Sequence, residues 1–319
     1  MTSEVGTSIW QISAGPANRA YADVFLKYGV TLIGPGDSGP WRPERDEADD
    51  AVRRFAAEVQ MGDIVLLRTG AASICAVGLV ASHYLYLPQF DDVNGWDLQH
   101  ARRVRWFPLQ GEYTFEARVF GAFTAPFGRV QHPDVVDFAT RFVNSPPTYW
   151  QTAPLPALPA EAPPLTDVPE ALQPLVAQVQ DLADLYWDRA TFGEHPAEDE
   201  MLAHYVVPLL RALGWPPERI AVKWRYVDVS LFRALPRTPE NLHLIIEAKR
   251  LGAGVEGALD QAKGYLQELG VQRDIVVTDG IRYRLYEKTA EQDFSPVAYA
   301  NLARLKQPAR DLFARLKRP

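Results

Sequence analysis

The sequence predicts an α+β protein in two parts: a small β-barrel with a few short helices, then an α/β core around a mixed sheet. Three observations predict it. The chain has 319 residues, enough for about two domains. A proline-rich stretch over 146–169 interrupts it, and neither a helix nor a central strand continues through such a run. The two sides of that stretch are patterned differently: short strands and tight turns before it, longer helices alternating with strands after it. The expected division is a first domain over 1–145, a linker over 146–169 and a second domain over 170–319.

In the first part, residues 8–13 alternate like a strand and 18–28 read as a helix. Residues 30–34 form a strand running into the turn Pro35-Gly36-Asp37-Ser38-Gly39-Pro40. Residues 44–58 are charged and helical, with Ala51, Phe55 and Val59 on one face. Gly62-Asp63 turns into a strand over 64–68, and 74–80 is another. Short strands wrapped around turns suit a compact barrel.

In the second part, helices are expected over 169–189 and 198–213, the latter stopping at Gly214. Strands follow at 220–226, 228–232 and 243–248, then a helix over 256–269 and a strand over 274–278. Asp279-Gly280 reads as a two-residue hairpin turn into a strand over 282–286. A helix crossing between strands implies helices packed on a mixed sheet.

Composition narrows the function. Cys75 is the single cysteine, which excludes an intrachain disulfide and a thiolate zinc site. No apolar run reaches about 18 residues, so no membrane span is expected. The N-terminus lacks the charged and apolar regions of a secretory signal, and the expected location is the cytoplasm. Net charge is −7, and both halves carry more acids than bases, which argues against non-specific wrapping of nucleic acid. The basic end, Arg315 to Arg318, reads as a solvated helix face. No glycine-rich phosphate loop appears, so no nucleoside triphosphate is expected. His195 and His243 stand outside any zinc-ligand spacing and read as structural.

The chemistry concentrates after residue 190. The apolar run 242–248 ends in Glu247-Ala248-Lys249, and Asp228 lies in the preceding β-branched run. Gln261 and Tyr265 are four apart on the following helical stretch. Hydrolysing a phosphodiester requires an activated water and relief of charge on the phosphorane. A magnesium ion held by hard carboxylates supplies both. Asp228 and Glu247, on adjacent strands, can share one ion. Lys249 lies two residues beyond Glu247, on the same strand face, where an ammonium can orient or deprotonate the water and steady the transition state.

This layout resembles the PD-(D/E)xK nuclease superfamily. Val227-Asp228 stands for its "PD" element, with Val for Pro, and Glu247-Ala248-Lys249 for its "ExK" element. Gln261-x-x-x-Tyr265 is similar to the Q-x-x-x-Y feature of the branch that holds type I restriction motor subunits and Mrr-like enzymes. So is the ending Leu209-Leu210-Arg211-Ala212-Leu213-Gly214-Trp215. The resemblance covers roughly 190–290. It implies a Mg²⁺-dependent endodeoxyribonuclease, with Mn²⁺ as a substitute. Asp228, Glu247 and Glu200 would be the metal ligands, Glu198 being second choice for the helix acid. Lys249, Gln261 and Tyr265 would complete the catalytic set.

The first part carries isolated tryptophans, Trp10, Trp41, Trp96 and Trp106. Aromatics on loops can stack an extruded base; taken singly, each is better explained as a core residue. Ile9-Trp10-Gln11-Ile12, Gly34-x-Gly36-Asp37, Trp41, Gly62-Asp63-Ile64-Val65 and Ala76-Val77-Gly78-Leu79-Val80 resemble the EVE branch of the PUA-like fold. The stretch 95–106, which includes His100, Arg102, Arg103, Val104, Arg105 and Trp106, is similar to a segment of EVE-like modules fused to restriction nucleases. The resemblance covers roughly 7–145 and implies a pocket for a modified base. The four tryptophans, Asp37 and Ser38 would form it, and Arg102, Arg103 and Arg105 would touch phosphates unless they line a solvated strand edge.

Together the resemblances imply a modification-dependent, type IV-like restriction endonuclease of anti-phage defence. It would flip a modified base, a modified cytosine first of all, out of double-stranded DNA and cut nearby. A homodimer is expected, because one such site cuts one strand. Two alternatives stay open: a modified-nucleic-acid binding protein whose nuclease fold is non-catalytic, and an RNA-directed nuclease.

Overall fold

A computed structural model describes residues 7–15, 21–43, 50–93, 96–120, 127–145, 150, 152–251, 255–289 and 294–318. The fold is mixed α+β, with a curled half-barrel sheet and a second mixed sheet. The chain divides into two units, residues 1–93 with 97–161, and residues 94–96 with 162–319.

The first unit contains β1 (Ile9–Ser13), α1 (Ala22–Tyr28), β2 (Val30–Ile33), α2 (Asp50–Ala57), β3 (Ile64–Arg68), β4 (Ser73–Val80), β5 (Leu85–Tyr86), β6 (His100–Thr114), β7 (Phe127–Arg129) and α3 (Pro133–Asn144). The expected helix residues 18–20 and 44–49 lie outside the described residues. Among the described residues the sheet runs β2-β6-β4-β3-β1-β7, with β5 on β6, so it curls without the closure expected of a barrel. The long β6 makes the curl: its first part pairs with β2 and its remainder with β4, with a register shift between Ile74 and Ala76. Sequence patterning did not reveal β6 as one strand, because Pro108 and Gly111 interrupt it. Ile9, Ile64, Leu66, Ile74, Val77, Phe115 and Trp150 share one core under α3.

The described part of the proline-rich stretch is tied down at several points. Proline lacks an N–H, so such a stretch offers mainly carbonyls, and arginines supply the donors. Arg105 Nε donates to the Ala153 carbonyl at 3.1 Å, and Arg103 donates to that of Pro156. Further on, Gln307 N–H bonds the Pro163 carbonyl and Leu165 N–H bonds that of Leu305. Residues 157–162 lie between these hydrogen-bonded stretches, and the division between the two units falls at 161/162, inside the linker expected over 146–169.

The second unit contains α4 (Gln173–Trp187), α5 (Arg189–Phe192), α6 (Glu198–Met201), α7 (Val207–Ala212), β8 (Ile220–Trp224), β9 (Val227–Phe232), β10 (Leu242–Ala248), α8 (Ala258–Glu268), β11 (Asp274–Thr278), β12 (Arg282–Lys288), β13 (Phe294–Asn301) and α9 (Ala309–Leu316). A π-helical turn, Leu202–Val206, joins α6 to α7. Gly214, at φ 94°, ends the helical run, and Trp215 behind it donates Nε1–H to the Leu316 carbonyl.

The second sheet runs β13-β12-β11-β10-β9-β8. β10 sits between antiparallel β9 and parallel β11, with α8 as the crossover helix. Apolar side chains pack on both faces. Val229, Leu231, Leu244 and Ile246 join Met201, Tyr205 and Leu209 on one side, while Ile245, Val277 and Ile275 join Ala258, Ala262 and Leu266 of α8 on the other. That two-sided burial explains why 242–248 reads as a nearly unbroken apolar run. The Asp279-Gly280 turn is longer than expected and includes Ile281, because the Asp279 carboxylate accepts from the N–H groups of both Ile281 and Arg282.

Candidate active site

Asp228 and Glu247 are almost wholly buried, at 3 % and 1 % exposure. Val229 pairs with Ile246 across the antiparallel β9–β10 ladder, so the same register continued by one residue sets Asp228 opposite Glu247. The Ala248 N–H donates to Asp228 Oδ2 at 2.8 Å, which fixes that carboxylate beside the Glu-x-Lys segment. Lys249 Nζ donates to Glu247 Oε1 at 2.9 Å and to Gln261 Oε1 at 3.0 Å, and Gln261 Nε2 donates to the Tyr265 hydroxyl at 2.6 Å. Asp228, Glu247, Lys249, Gln261 and Tyr265 are thus brought into one connected cluster at the end of two central strands.

The helix acid differs from the first choice. Glu200 Oε2 accepts the Ala197 N–H at 2.7 Å, so Glu200 closes the start of α6 instead of facing the cluster. Glu198, three residues into the chain after His195, accepts from Lys223 Nζ at 3.2 Å and therefore joins the site. Lys223 was missed in the sequence, where it looks like one more exposed strand residue. Its ammonium lies 2.6 Å from Asp228 Oδ1 and 3.4 Å from Asp199 Oδ1. Partial burial lowers its pKa, but the Asp228 and Glu198 carboxylates outweigh that and the net shift is upward.

Glu247 is the electrostatic oddity of the cluster. Burial, with the Lys249 ammonium opposing and the Asp228 and Glu198 charges adding to it, pushes its carboxyl up to about 7. Its Oε2 is buried and has no hydrogen-bond partner among the described residues. A buried carboxylate oxygen without a donor is costly, and a cation is the partner that satisfies it best. The donor set is hard oxygen, the type that suits magnesium or manganese. Asp228, Glu247 and Glu198 are the residues that would hold such an ion. In the present geometry no three acidic, histidine or cysteine side chains among the described residues stand close enough to cage one. The Lys223 ammonium occupies the space between Asp228 and Glu198 instead.

In the first unit the tryptophans part company. Trp10 is core: 2 % exposed, stacked on Phe127 at 5.1 Å, its Nε1–H given to Asp63 Oδ2 at 2.8 Å. Trp106 donates Nε1–H to the Val30 carbonyl and covers Gly78, where a Cβ would meet its ring at 2.7 Å. Trp96 falls in the segment grouped with the second unit, and the Asn94-Gly95 turn before it lies outside the described residues. Trp41 stands edge-on to Tyr84 at 6.3 Å and donates its main-chain N–H to the Tyr84 hydroxyl at 2.9 Å.

That neighbourhood is aromatic and polar. The Tyr84 hydroxyl and His100 Nδ1 are hydrogen-bonded at 2.7 Å with the two rings stacked, and His100 Nε2 contacts the Pro35 carbonyl at 2.9 Å. Ser38 Oγ donates to the Pro35 carbonyl at 2.8 Å, and the Asp37 N–H goes to Asp97 Oδ2 at 2.9 Å. Gln99 is fully buried against Gly36, with neither amide atom hydrogen-bonded among the described residues. Gln99 and His100 lie in the 95–106 stretch but carry no pocket role there, and Tyr84 is an isolated polar residue with no spacing to mark it.

Of the three arginines, Arg102 is buried and does not face outward as a phosphate contact requires, while Arg103 and Arg105 are partly exposed. Arg102 is 2 % exposed and donates to the carbonyls of Phe55, Ala56 and Ser82; burial lowers its pKa to about 10. Arg103 and Arg105 bind the main-chain carbonyls described above. All three hold the first unit together. His195 and His243 pack against Trp187 and Trp215, as structural residues do.

Residues 10–118 match the model of a domain of unknown function, DUF8426. Among curated proteins none matches the chain. Among solved structures, the fragment of a protein described as an HsdR subunit of a type I restriction enzyme from Vibrio vulnificus YJ016 is similar at 22% identity, with a TM-score of 0.25. The match covers 38% of this chain and 25% of that one, so the chain spans about a quarter of that relative's length. At that TM-score the likeness fixes neither fold nor activity. No described helix is long and apolar enough to cross a membrane.

Proposed function

We propose that the second unit is a metal-dependent nuclease acting on DNA. One observation carries the reading: the buried, unpartnered Glu247 Oε2 beside Asp228, with the Lys249 ammonium on the same strand face. A divalent ion bound there would polarise the phosphodiester and supply hydroxide near neutral pH. Asp228 and Glu247 hold negative charge in a dry place, which draws a cation in. Lys249, braced by Gln261, points an ammonium where charge develops on the phosphorane. Tyr265 fixes Gln261, and Glu198 completes the acidic wall once Lys223 swings aside.

The first unit is the candidate reader of a modified base, a modified cytosine first of all. The support is narrower than the tryptophan count suggests. It rests on Trp41, Tyr84 and His100 beside Ser38, with Asp37 and the unpaired amide of Gln99 nearby. A double-strand break would need two such chains, hence a homodimer, and defence against phage is the role that fits.

The Lys223 contacts favour a second reading. An ammonium that already neutralises Asp228 and Glu198 suits a protein that binds modified nucleic acid without cutting it. Incubation with Mg²⁺ and unmodified, 5-methylcytosine, 5-hydroxymethylcytosine and glucosylated DNA, and with RNA, separates the readings. The nuclease reading expects Mg²⁺-dependent cleavage that Lys249→Ala removes. Binding to modified DNA without cleavage at any metal concentration would support the second reading. Equal cleavage of all DNAs would remove the reader and leave the nuclease.

A further inference from the structure

The β8–β9 hairpin departs from local rules. Its two turn residues, Arg225 and Tyr226, have φ of 48° and 72°, and Lys223 just before has φ of 53°. They are the only non-glycine residues with positive φ among the described residues. Two-residue hairpin turns of this hand normally use Asn-Gly, because side chains with a bulky Cβ clash there. Backbone strain of this kind persists where the surroundings impose it, and it gathers at functional sites.

What the strain presents is an aromatic ring and a cation. Tyr226 is 81 % exposed, the most exposed large apolar side chain described, and Arg225 lies beside it over the Trp224 ring at 4.8 Å. Both line a cleft of ≈ 660 Å³ with Lys223, Tyr265, Glu268 and Leu269. The cleft adjoins the acidic cluster at two points. Lys223 reaches Asp228 and Glu198 on one wall, and Tyr265 connects through Gln261 to Lys249 on the other.

We propose that this cleft holds an unpaired nucleotide of a DNA strand next to the cleaved phosphate, its base stacked on Tyr226 and its phosphate on Arg225. The inference rests on the nuclease reading for the identity of the ligand. The chemistry is suited: an exposed ring stacks any base, and a guanidinium beside it meets the backbone. A paired base offers no free face to Tyr226, so the cleft selects frayed or single-stranded positions.

The test measures binding in EDTA, where no cleavage intrudes. The full chain is titrated against a single-stranded DNA 12-mer carrying 2-aminopurine, and against the blunt duplex and the RNA of the same sequence. Single-stranded DNA is expected to bind with quenched fluorescence. Tyr226→Ala should weaken it roughly tenfold and abolish the quenching, and Tyr226→Trp should restore both. Replacing the turn by Asn-Gly (Arg225→Asn with Tyr226→Gly) should raise Tm while binding is lost, which separates recognition from folding. Unchanged affinity in Tyr226→Ala, or tighter binding of blunt duplex or RNA than of single-stranded DNA, overturns the proposal. If the wild type binds in this way yet never cuts with Mg²⁺, the nuclease reading falls and the strand site stands.

Discussion

Two buried acids of the second unit, each paired with a nearby base, behave differently. Asp279 and Arg282 are both buried, and every donor-acceptor demand of the acid is met. Its Oδ1 accepts from the N–H of Ile281 and of Arg282, and its Oδ2 from the Arg282 guanidinium at 2.9 and 2.7 Å. Glu247 is buried as deeply, one oxygen on Lys249 and the other without a partner. A closed pair stabilises a turn. An open one holds charge ready for something that arrives later. Burial alone therefore does not distinguish the two acids; incomplete satisfaction does.

Substitutions that break the comparison have separable effects. Lys249→Ala should lower Mg²⁺-dependent cleavage by about 10²–10⁴-fold, since an ammonium beside the phosphorane acts mainly in the transition state. The urea midpoint should move little, because Lys249 is partly exposed. Asp279→Ala should do the opposite. It removes the carboxylate that pairs the buried Arg282 guanidinium and should destabilise by about 3–5 kcal/mol, read by urea unfolding, and activity should fall only with the folded fraction.

Glu247→Gln sharpens the contrast through pH. The folded pKa is about 7, raised above the ordinary value near ~4.3 of an unfolded chain. Its ionised form is therefore disfavoured by folding: no penalty exists below the unfolded pKa, and the penalty grows with pH until it is complete above about 7. In EDTA at pH 8 the glutamine variant should be more stable by about 1–3 kcal/mol, and at pH 4 the difference should vanish. A gain that is the same at both pH values would show that shape, not charge, governs that position. Metal must displace the proton, so Mn²⁺ binding to the wild type should weaken as pH falls below 7.

The smallest effects separate neighbouring acids on α6. Glu198→Ala should lower cleavage by about 10–100-fold, as loss of a supporting metal-site residue does. Glu200→Ala should cost about 0.5–1 kcal/mol of stability and leave kcat near the wild-type value. Reversed outcomes would restore Glu200 as the site acid.

The order of elements in the second unit was legible because a two-sided sheet writes long apolar runs, and Gly214 marks a helix end in any context. Asp228, Glu247, Lys249, Gln261 and Tyr265 were legible as a spaced set, and they form one hydrogen-bonded cluster. Glu198 and Lys223 were harder. Neighbouring acids on one helical turn differ only in direction, which the cap at Ala197 decides. Lys223 reaches Asp228 through a left-handed backbone that no strand propensity anticipates. In the first unit, tryptophans and arginines suggested a surface, yet Trp10 and Arg102 are core residues. Aromatic rings and guanidinium groups serve burial as readily as binding, and only their partners tell which.

The central claim is that Asp228 and Glu247 share one divalent ion. Crystals soaked in Mn²⁺ and measured at the manganese absorption edge test it directly. An anomalous peak within about 2.0–2.3 Å of Glu247 Oε2 and an Asp228 oxygen, with the Lys223 ammonium withdrawn, is the expected result. No peak there at saturating Mn²⁺, with Lys223 still bridging Asp228 and Glu198, would contradict it.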